Sequence, residues 1–503
     1  MRRIIFSLVL ASVAFLSAGA ATITVVVDSV RHQRVTGFGA AACWGLMAPI
    51  EDVNIIKLLY GEDSPVGLNI MRMEISPNLI GNVTVPWDTP YDWHGYLPVV
   101  KEAKARGAII FGTPWSPPGE YKTNGTPQGG NSEAQGYQRG ELKASSYSSF
   151  FPWLNTFLAY MKKNDAAVDI VSLQNEPDWW VDYSGCLYTP QQLHDLVKKY
   201  ASRLDRKTYN VRLMNAEPLG FNPEYSDIML DDPETAKHID IIAGHIYGHE
   251  PLGNMAKAAK KALAQGKEVW MTEHSVNPRG DADGTVDLPT WHEEILFAEE
   301  VNECLLAGGS AYVYWYMLAH WSFVGSGDKT IQPGNDYGKL LRRGYVMSHF
   351  SKNLPGSTRL DTKASVIVGT NSAFQTSAYI KGDSLIVMAI DTTANAHKLR
   401  GHLPYEVTSG EWILSTEEAV CRRSDIEMTE PAKVVMLDLP ARSINTYIFK
   451  INRVESGVDE IKSDCEMKPV DDALYDMQGR RMNSGASLRQ GIYIKNGKKI
   501  YIK

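Results

Sequence analysis

The sequence contains little that would cross-link or anchor a fold. Only five cysteines occur among 503 residues, and none forms a CxxC pair, so the pattern argues against zinc ribbons and redox dithiols and predicts mostly buried thiols. After residue 20, no stretch reaches the ~18 uncharged apolar residues that a spanning helix needs, and we expect no transmembrane segment. The formal charge of −7 argues against a nucleic-acid partner, because such proteins usually carry a basic domain.

Several signatures of other enzyme classes are missing as well. The first apolar run lacks the GxGxxG spacing of a dinucleotide-binding loop, no GxSxG surrounds a nucleophilic serine, and no HExxH pair offers ligands to zinc. We therefore predict a protein that works without a cofactor or a metal ion.

The first 20 residues form a separate segment. Arg2 and Arg3 precede the apolar run Ile4–Leu16, and small residues follow as far as Ala20. A positive start, an apolar centre and a small-residue end are typical of a secretory signal peptide. We predict a signal peptide over 1–20 and a secreted or cell-surface protein; a short N-terminal anchor is the alternative.

Between residues 36 and 350, short apolar runs alternate with amphipathic segments. Runs such as DIVSLQ and IDIIAG are apolar on both faces, as strands of a buried parallel sheet are, and the segments between them carry helix caps and terminal glycines. Eight such units predict an α/β fold, a (β/α)8 TIM barrel over 36–350, with a doubly wound sheet as the alternative. The predicted strands are Gly37–Ala42, Gly67–Ile75, Ala108–Thr113, Val168–Gln174, Val211–Asn215, Ile239–Ala243, Glu268–Thr272 and Ala311–Trp315.

The segments that flank the barrel have the pattern of antiparallel strands. Residues 22–35 and 351–452 alternate apolar and polar side chains between Gly, Asn and Asp turns, which predicts a side β-sandwich built from both ends of the barrel. Residues 456–503 follow a polar linker and contain Asn496-Gly497 between two alternating runs, which is a hairpin signal. We predict a small C-terminal β unit there.

Catalytic residues are expected where the barrel strands end, because TIM-barrel active sites form on that face. Glu176 closes the fourth predicted strand and Glu273 the seventh, so both side chains are expected to flank one ligand. Paired carboxylates hydrolyse glycosides: one protonates the leaving oxygen, and the other attacks or activates water. Arg72 is the candidate cation that keeps the nucleophile ionised, and Asn175 is a candidate partner for a sugar hydroxyl.

Each of these residues also has a structural interpretation. A glutamate before a proline is usually a solvated loop residue, and we interpret Glu217 on that ground as a structural residue or as one that supports the side chains touching the substrate. A lone histidine such as His245 is more often a satisfied core residue than a catalyst, and Trp115 and Trp315 fit a core as well. The functional interpretation of Glu176 rests on the joint placement of polar residues at the strand ends.

At these positions the chain resembles glycoside hydrolase family 30, most closely its bacterial xylanase group. The similarity runs from about residue 36 to about residue 360 and continues more weakly to about residue 451. QNEP alone is shared by many retaining barrel hydrolases, whereas the full set of segments is specific. The segments are VTGFGAAACWG, GLNIMRMEIS, FGTPWSPPGEYKTNG, DIVSLQNEPDWW, FNPEYSDIMLDDPETAKHIDIIAGHIYG, VWMTEH, VYWYM and LRRGYVMSHFSKNLPG.

The resemblance implies a barrel fused to a side sandwich and a retaining double displacement, with Glu176 as acid/base and Glu273 as nucleophile. A retaining mechanism in turn predicts carboxyl groups ~5–5.5 Å apart. Trp179 and Trp180, just past the acid, would form a platform on the leaving-group side. The implied sugar-site residues are Trp44, Trp115, Asn175, His245, Tyr247 and Trp315.

One departure from the family bears on the substrate. Glucuronoxylan-specific members carry an arginine shortly after the strand-eight aromatic motif, and it binds the carboxylate of the glucuronic acid branch. Here Tyr316 is followed by MLAH, and neither His320 nor Lys329 offers a planar guanidinium fork. We therefore predict a secreted endo-β-1,4-xylanase that binds xylan without strict dependence on that branch.

Two other functions stay open from the sequence. One is a different family 30 β-glycosidase, acting on β-1,6-glucan or glucosylceramide. The other is a non-catalytic glycan-binding surface protein, which need not keep both carboxylates. The tail LYDMQGRRM…GIYIKNGKKIYIK resembles the C-terminal sorting domains of secreted Bacteroidetes proteins and would engage secretion machinery; a β extension that packs on the sandwich is the alternative.

Overall fold

The computed structural model describes most of the chain, with gaps. Residues 21–43, 52–77, 93–248, 250–276, 289–318, 321–327, 336–365 and 373–452 are described in full, and the backbone is described for 474–475, 481–482, 491–495 and 498–502. The chain divides into two compact units, Met1–Asn452 and Arg453–Lys503. The predicted signal peptide over 1–20 lies outside the described residues.

The first unit contains a closed barrel of eight parallel strands. Each barrel strand falls within or beside one of the eight predicted apolar runs, and nearly all of its residues are buried because both faces are covered. The predicted (β/α)8 barrel is confirmed. The barrel strands are β2 to β9, and the strands of the unit are β1 (Thr22–Arg34), β2 (Gly37–Ala42), β3 (Ile70–Glu74), β4 (Ile109–Thr113), β5 (Ile170–Ser172), β6 (Arg212–Met214), β7 (Ile241–His245), β8 (Glu268–Glu273), β9 (Ala311–Tyr314), β10 (Thr358–Ala364), β11 (Phe374–Lys381), β12 (Ser384–Asp391), β13 (His397–Ser415), β14 (Arg422–Ile426), β15 (Ala432–Leu439) and β16 (Ser443–Ile451).

Helices cover the outside of the barrel, and their ends carry the expected signals. Thr189 and Thr290 each form a capping box with the residue three positions later, which satisfies two otherwise unpaired donors. The helices are α1 (Val53–Leu59), α2 (Leu97–Ala105), α3 (Tyr147–Lys163), α4 (Pro190–Tyr200), α5 (Arg206–Tyr209), α6 (Pro223–Asp231), α7 (Pro233–Ala236), α8 (Pro251–Ala264), α9 (Trp291–Leu306) and α10 (Arg342–Ser351).

The remaining strands of the first unit form one mostly antiparallel sheet that encloses its own apolar core. Its central element is the long strand β13: residues 397–402 pair with β1 and β15, and residues 407–415 pair with β16. The order β1-β10-β11-β12-β16-β13 therefore returns to β1. As predicted, the segment before the barrel joins the strands that follow it.

Polar contacts connect this sheet to helix α9. The Asn302 side chain donates to Gln375 Oε1 at 3.0 Å and accepts from Ser377 Oγ at 2.6 Å, and all three side chains are buried. Buried polar groups that satisfy one another hold two surfaces in one arrangement. The sheet thus supports the helix between β8 and β9, the last two strands of the barrel.

The second unit is a small four-stranded antiparallel sheet in the order β18-β17-β19-β20. The pairing of Lys495 with Lys498 leaves two residues to connect β19 and β20, so the predicted hairpin is confirmed. A sorting role for this tail stays a prediction. The strands are β17 (Leu474–Tyr475), β18 (Arg481–Met482), β19 (Gly491–Lys495) and β20 (Lys498–Ile502).

The predictions on membrane-spanning helices and on cysteine burial can be compared with the described part of the chain. Within it, no helix has the length and apolarity needed to cross a membrane. Four cysteines are described there, all free; Cys43, Cys186 and Cys304 are buried, and Cys421 is partly buried. Their burial agrees with the prediction of mostly buried thiols.

Candidate active site

Polar side chains from distant parts of the sequence meet at the carboxyl end of the barrel. His245, the last residue of β7, pairs in register with Glu273, the last residue of β8. Glu176 follows β5 and Glu217 follows β6, and a bridge between Asn175 and Glu217 extends the pairing of these two strands. The carboxyl ends of parallel barrel strands share one face, which is why the four segments converge.

The carboxylates of Glu176 and Glu273 lie close together. One oxygen of each lies within 4.8 Å of the other, and the two side chains are 11% and 9% exposed. Retaining glycosidases hold their two carboxyl groups ~5–5.5 Å apart, whereas inverting enzymes leave ~6.5–9.5 Å for a water molecule. The observed separation therefore fits the retaining geometry, and the remaining exposure leaves both groups accessible.

The backbone around Glu176 is held in an unusual conformation. Glu176 has φ of +38°, in the left-handed region that non-glycine residues seldom occupy. Its N–H donates to the carbonyl of Glu217 at 3.0 Å, and the N–H of Asn175 donates to the carbonyl of Pro114 at 2.9 Å. Neighbouring strands thus fix a conformation that aims this side chain into the site, as is common at functional positions.

Arg72, the candidate cation, lies at the centre of the cluster. It is fully buried on β3, and its Nη1 donates to Glu273 Oε2. Its Nη2 donates to Asn175 Oδ1 at 2.7 Å and lies 3.0 Å from Glu217 Oε2. The guanidinium also lies over the Trp115 ring, 4.6 Å from its centroid, so one side chain positions the nucleophile candidate and an aromatic wall.

Opposing effects act on the ionisation of Glu273. Burial raises the pKa of Glu273, and the negative charge of Glu176 acts in the same direction. The positive charges of His245 and Arg72 limit that rise, and so does the hydrogen bond from Arg72. The ionised form that a nucleophile requires therefore depends on these two cationic neighbours.

His245 is fully buried and touches both carboxylates of the pair. Its Nδ1 lies 2.8 Å from Glu176 Oε1, and its Nε2 lies 3.5 Å from Glu217 Oε2 and 3.8 Å from Glu273 Oε2. Burial alone would lower the pKa of His245, but the charge of Glu273 and the hydrogen bonds to Glu176 and Glu217 raise it to about 9. The carboxylates near both ring nitrogens therefore favour the imidazolium form of His245, although Arg72 Nη2 also lies 3.5 Å from Nε2.

Glu217, interpreted from the sequence as a structural residue or a support for the site, lies inside the polar cluster. Its side chain is fully buried, ion-paired with Arg72 and close to His245, and it accepts a hydrogen bond from Thr113 Oγ1 at 2.7 Å. One signal pointed to it: like Glu176, it follows a barrel strand and precedes a proline. Its position at a strand end indicates a site residue, whereas a glutamate before a proline in a loop is usually solvated.

Aromatic rings surround this polar centre. Trp115 and Trp315 lie with ring centroids 5.9 Å apart and are 2% and 8% exposed, and Tyr247 packs against His274 with centroids 4.6 Å apart. Asn175 is 5% exposed, and because its Oδ1 accepts from Arg72, its Nδ2 group is the one left to meet a ligand. The structure thus brings these predicted site residues together around the carboxylates.

Trp179 and Trp180 occupy the loop that begins at Glu176. Trp179 is 51% exposed; Trp180 donates from its indole to the carbonyl of Gly129 at 3.1 Å, and the Arg139 guanidinium lies 5.9 Å from its ring centroid. An exposed and a partly buried indole beside the acid candidate provide apolar faces of the kind on which sugars pack. Trp44, His320 and Lys329, which the sequence analysis also considered, lie outside the described residues.

One group among the described residues offers ligand atoms at metal-binding spacing: Glu176, His245 and Glu273. Arg72 already places a positive charge on Glu273, and a second cation beside it would be repelled. A protonated His245 also has no lone pair for a metal. The donor set therefore suits proton transfer better than metal binding.

Comparisons with known proteins show the family and the fold of the chain. Residues 88–311 match the family model described as the glycosyl hydrolase family 30 TIM-barrel domain. The fold is similar to that of the glycoside hydrolase family 30 subfamily 8 xylanase Xyn30A from Clostridium acetobutylicum, with a TM-score of 0.67 and 30% identity over 85% of this chain and 99% of that one. The chain belongs to glycosyl hydrolase family 30.

Other relatives of this family 30 hydrolase differ in their named activities. It is 25% identical to the glucuronoxylanase XynC from Bacillus subtilis over 84% of this chain and 90% of that protein. It is 23% identical to the lysosomal acid glucosylceramidase of Mus musculus over 72% and 75% of the two chains. Family membership makes the protein a glycoside hydrolase, and it leaves the choice of substrate to be argued from the site.

Proposed function

We propose that this family 30 hydrolase is a secreted, retaining endo-β-1,4-xylanase, with Glu273 as nucleophile and Glu176 as acid/base. The observation that carries the proposal is the approach of their carboxylate oxygens to within 4.8 Å. At that separation one carboxylate can attack the anomeric carbon while the other reaches the glycosidic oxygen.

In the first half of the reaction, Glu273 Oε forms a bond to the anomeric carbon and the glycosidic C–O bond breaks. Glu176 gives its proton to the departing sugar oxygen. Its Oε1 lies 2.8 Å from His245 Nδ1, so His245 donates to that oxygen and the transferable proton belongs on Oε2. Arg72 holds Glu273 for the attack through the hydrogen bond to its Oε2.

In the second half, Glu176 is ionised and takes a proton from a water molecule on the same face of the sugar. The oxygen of that water attacks the anomeric carbon as its proton passes to Glu176. The ester bond to Glu273 breaks, and Glu273 regains its negative charge. Two inversions at one carbon leave the configuration retained. Arg72 and His245 are within reach of the carboxylate that is released.

The xylan assignment is supported by the xylanases among the relatives and by the loop architecture on the leaving-group side. Residues 117–143 and 177–188 are joined by backbone hydrogen bonds, among them Gly129 N–H to the carbonyl of Tyr183 and Leu187 N–H to that of Gly140. This paired loop carries Trp180 next to Arg139. An aromatic surface on loops that are hydrogen-bonded in this way suits an extended polysaccharide better than the single sugar of a glycolipid headgroup.

The decisive experiment is product analysis on glucuronoxylan, unbranched xylan, β-1,6-glucan and glucosylceramide. We expect comparable cleavage of both xylans, because the run MLAH after Tyr316 lacks the arginine fork that would bind a uronic acid carboxylate. Cleavage fixed only by the branch would contradict the relaxed specificity, and activity confined to glucan or glucosylceramide would replace the substrate. Binding to xylan without release of reducing ends would favour a non-catalytic glycan-binding protein.

The roles of the two carboxylates need their own test. Glu273→Gln and Glu176→Gln should each reduce turnover by at least ~10²–10⁴-fold, the range for loss of acid–base assistance. The Glu176→Ala enzyme should regain activity with azide and yield a β-glycosyl azide, because a small anion can attack the glycosyl-enzyme without a base in the second step; azide rescue of a Glu273→Ala enzyme would instead give the α-glycosyl azide by a single inversion. Near-full activity of a Glu176 variant on xylan would overturn the assignment.

A further inference from the structure

Glu217 has the contacts of a fixed charge rather than of a substrate ligand. It is fully buried; its Oε1 accepts from Thr113 Oγ1 at 2.7 Å, and its Oε2 forms ion pairs with Arg72 Nη2 at 3.0 Å and His245 Nε2 at 3.5 Å. Its backbone is bound to the acid/base segment, since its carbonyl accepts from Glu176 N–H and its own N–H donates to the Gln174 carbonyl. These contacts leave Glu217 beneath the reacting atoms.

The cationic neighbours of Glu217 favour its ionised form at neutral pH. Burial would raise the pKa of Glu217, but Arg72 and His245 lower it to about 2. A group with that pKa does not exchange protons near neutrality. It can therefore influence the reaction only through the field that it exerts on its neighbours.

The neighbour that responds to this field is His245. Five groups from four other strand segments face it: Glu176, Glu217, Glu273, Arg72 and, further off, the partly buried Asp178. On its own strand segment, the Tyr247 ring lies with its centroid 6.2 Å away. Carboxylates outnumber the single guanidinium around the imidazole. Of the three with an oxygen within 3.8 Å of a ring nitrogen, Glu217 is the one that takes no part in bond making.

We propose that Glu217 is a positioning residue that keeps His245 protonated through both halves of the reaction, so that one imidazolium balances negative charge first on Glu273 and then on Glu176. The proposal rests on the catalytic roles assigned above to Glu176 and Glu273. It adds a function for two residues that do not bond to the substrate carbon, and it explains why the imidazole bridges the two catalytic carboxylates.

The net charge of the cluster is the same before and after the first step of the reaction. Before the attack, Arg72 and His245 are positive, Glu217 and Glu273 are negative, and Glu176 carries its proton, so the cluster is neutral. When the glycosyl-enzyme forms, the Glu273 charge is lost in the ester bond and Glu176 becomes the carboxylate after its proton leaves with the sugar oxygen. The cluster is neutral again, and the same imidazolium, with Nδ1 2.8 Å from Glu176 and Nε2 3.8 Å from Glu273, faces both sites of charge.

The test is the titration of His245 in Glu217→Gln, followed by NMR of enzyme labelled at histidine Cε1 and assigned with His245→Asn. Removing a negative charge that lies 3.5 Å from Nε2 should lower the pKa of His245 by ~1–3 units, as for one nearby opposite charge. The alkaline limb of kcat/KM, which follows loss of a proton from His245 or from the acid Glu176, should move to lower pH as well. Glu294→Gln, which removes an equally buried carboxylate 3.1 Å from the buried Arg343, should leave the His245 titration unchanged.

Glu217→Asp distinguishes a role in charge from a role in packing. It keeps the negative charge and shortens the side chain, so His245 should stay protonated and the alkaline limb should stay in place even where kcat falls. If Glu217→Gln leaves the His245 titration and the limb where they are in the wild type, or if Glu217→Asp moves both as far as the amide does, the proposal is wrong. The titration needs no substrate, so a failed xylanase assignment, seen as missing hydrolysis of xylan, is distinguishable from a failed role for Glu217.

Discussion

Replacing Arg72 with methionine is the sharpest test of how the site controls its nucleophile. The guanidinium contacts Glu273, Asn175 and Glu217, and it is fully buried. Without it, burial and the remaining carboxylates oppose the ionisation of Glu273 with only His245 to compensate. The pKa of Glu273 should therefore rise further, and the acid limb of kcat/KM should move to higher pH.

The size of the effect follows from the cost of breaking a buried ion pair. Removing one partner typically costs ~3–5 kcal/mol, and the site can relieve part of this cost by protonating Glu273, which then cannot attack. If about 3 kcal/mol of it falls on the transition state, kcat/KM at the optimum drops by roughly 10²-fold. Arg72→Lys keeps the charge but not the two-armed geometry, so it should retain most of the acid limb while losing turnover.

The assay is kcat/KM against pH on an aryl β-xylobioside whose leaving group needs no acid, so that the nucleophile alone is followed. Arg343→Met serves as a matched control, because it removes another fully buried arginine that is paired with Glu294 and bonded to Tyr314. The control should lower the melting temperature without moving the acid limb. An acid limb that is identical in Arg72→Met and wild type, at similar melting temperature, would refute the reasoning.

Three further predictions concern loop anchoring, pH and the attached sheet. Lys122 is buried, and its ammonium donates to the carbonyls of Pro127, Gln128 and Gly185 at 2.6–2.8 Å. Lys122→Met should raise KM for xylan several-fold with little change in kcat on the aryl substrate. Equal effects on the two substrates would contradict this prediction. Because the folded-state pKa of His245, about 9, exceeds its ordinary value, its contribution to stability is full below ~6.5 and disappears as pH rises through 9; this decline in urea-unfolding free energy should be absent in His245→Asn. Asn302→Ala removes the donor to Gln375 Oε1 and the acceptor of Ser377 Oγ. It should lower the unfolding free energy by ~1–3 kcal/mol, measured by urea denaturation, with KM unchanged; an altered KM would show that the sheet acts on the site.

Much of the barrel was predictable because each strand is short, apolar on both faces and bounded by polar strand ends. The run Gly37–Ala42 matches β2 residue for residue, and the run at Glu268 differs from β8 by only one residue at its end. Boundaries were less accurate where the chain enters or leaves the barrel, as at β5, because apolar residues such as Leu173 continue past the last ladder hydrogen bond. Helix starts at Thr189 and Thr290 were readable because capping depends on neighbours along the chain.

The candidate site was predictable only in part. The strand-end rule and the family resemblance indicated Glu176, Glu273 and Arg72, whose positions the structure brings into one cluster. Glu217 was judged by its local sequence, and Glu-Pro in a loop is usually solvated. Its burial comes from the contact between β5 and β6, which no local pattern contains.

The order of apolar runs, the capping residues and the two strand-end glutamates belong to the chain itself, since periodicity and hydrogen bonding between near neighbours determine them. The distance between Glu176 and Glu273, the charge on His245 and the use of Glu217 as a buried anion were decided only by the closed barrel. Closure brings the ends of β3, β5, β6, β7 and β8 within a few ångströms, removes water from between their charges, and so makes the ionisation of each group depend on all the others.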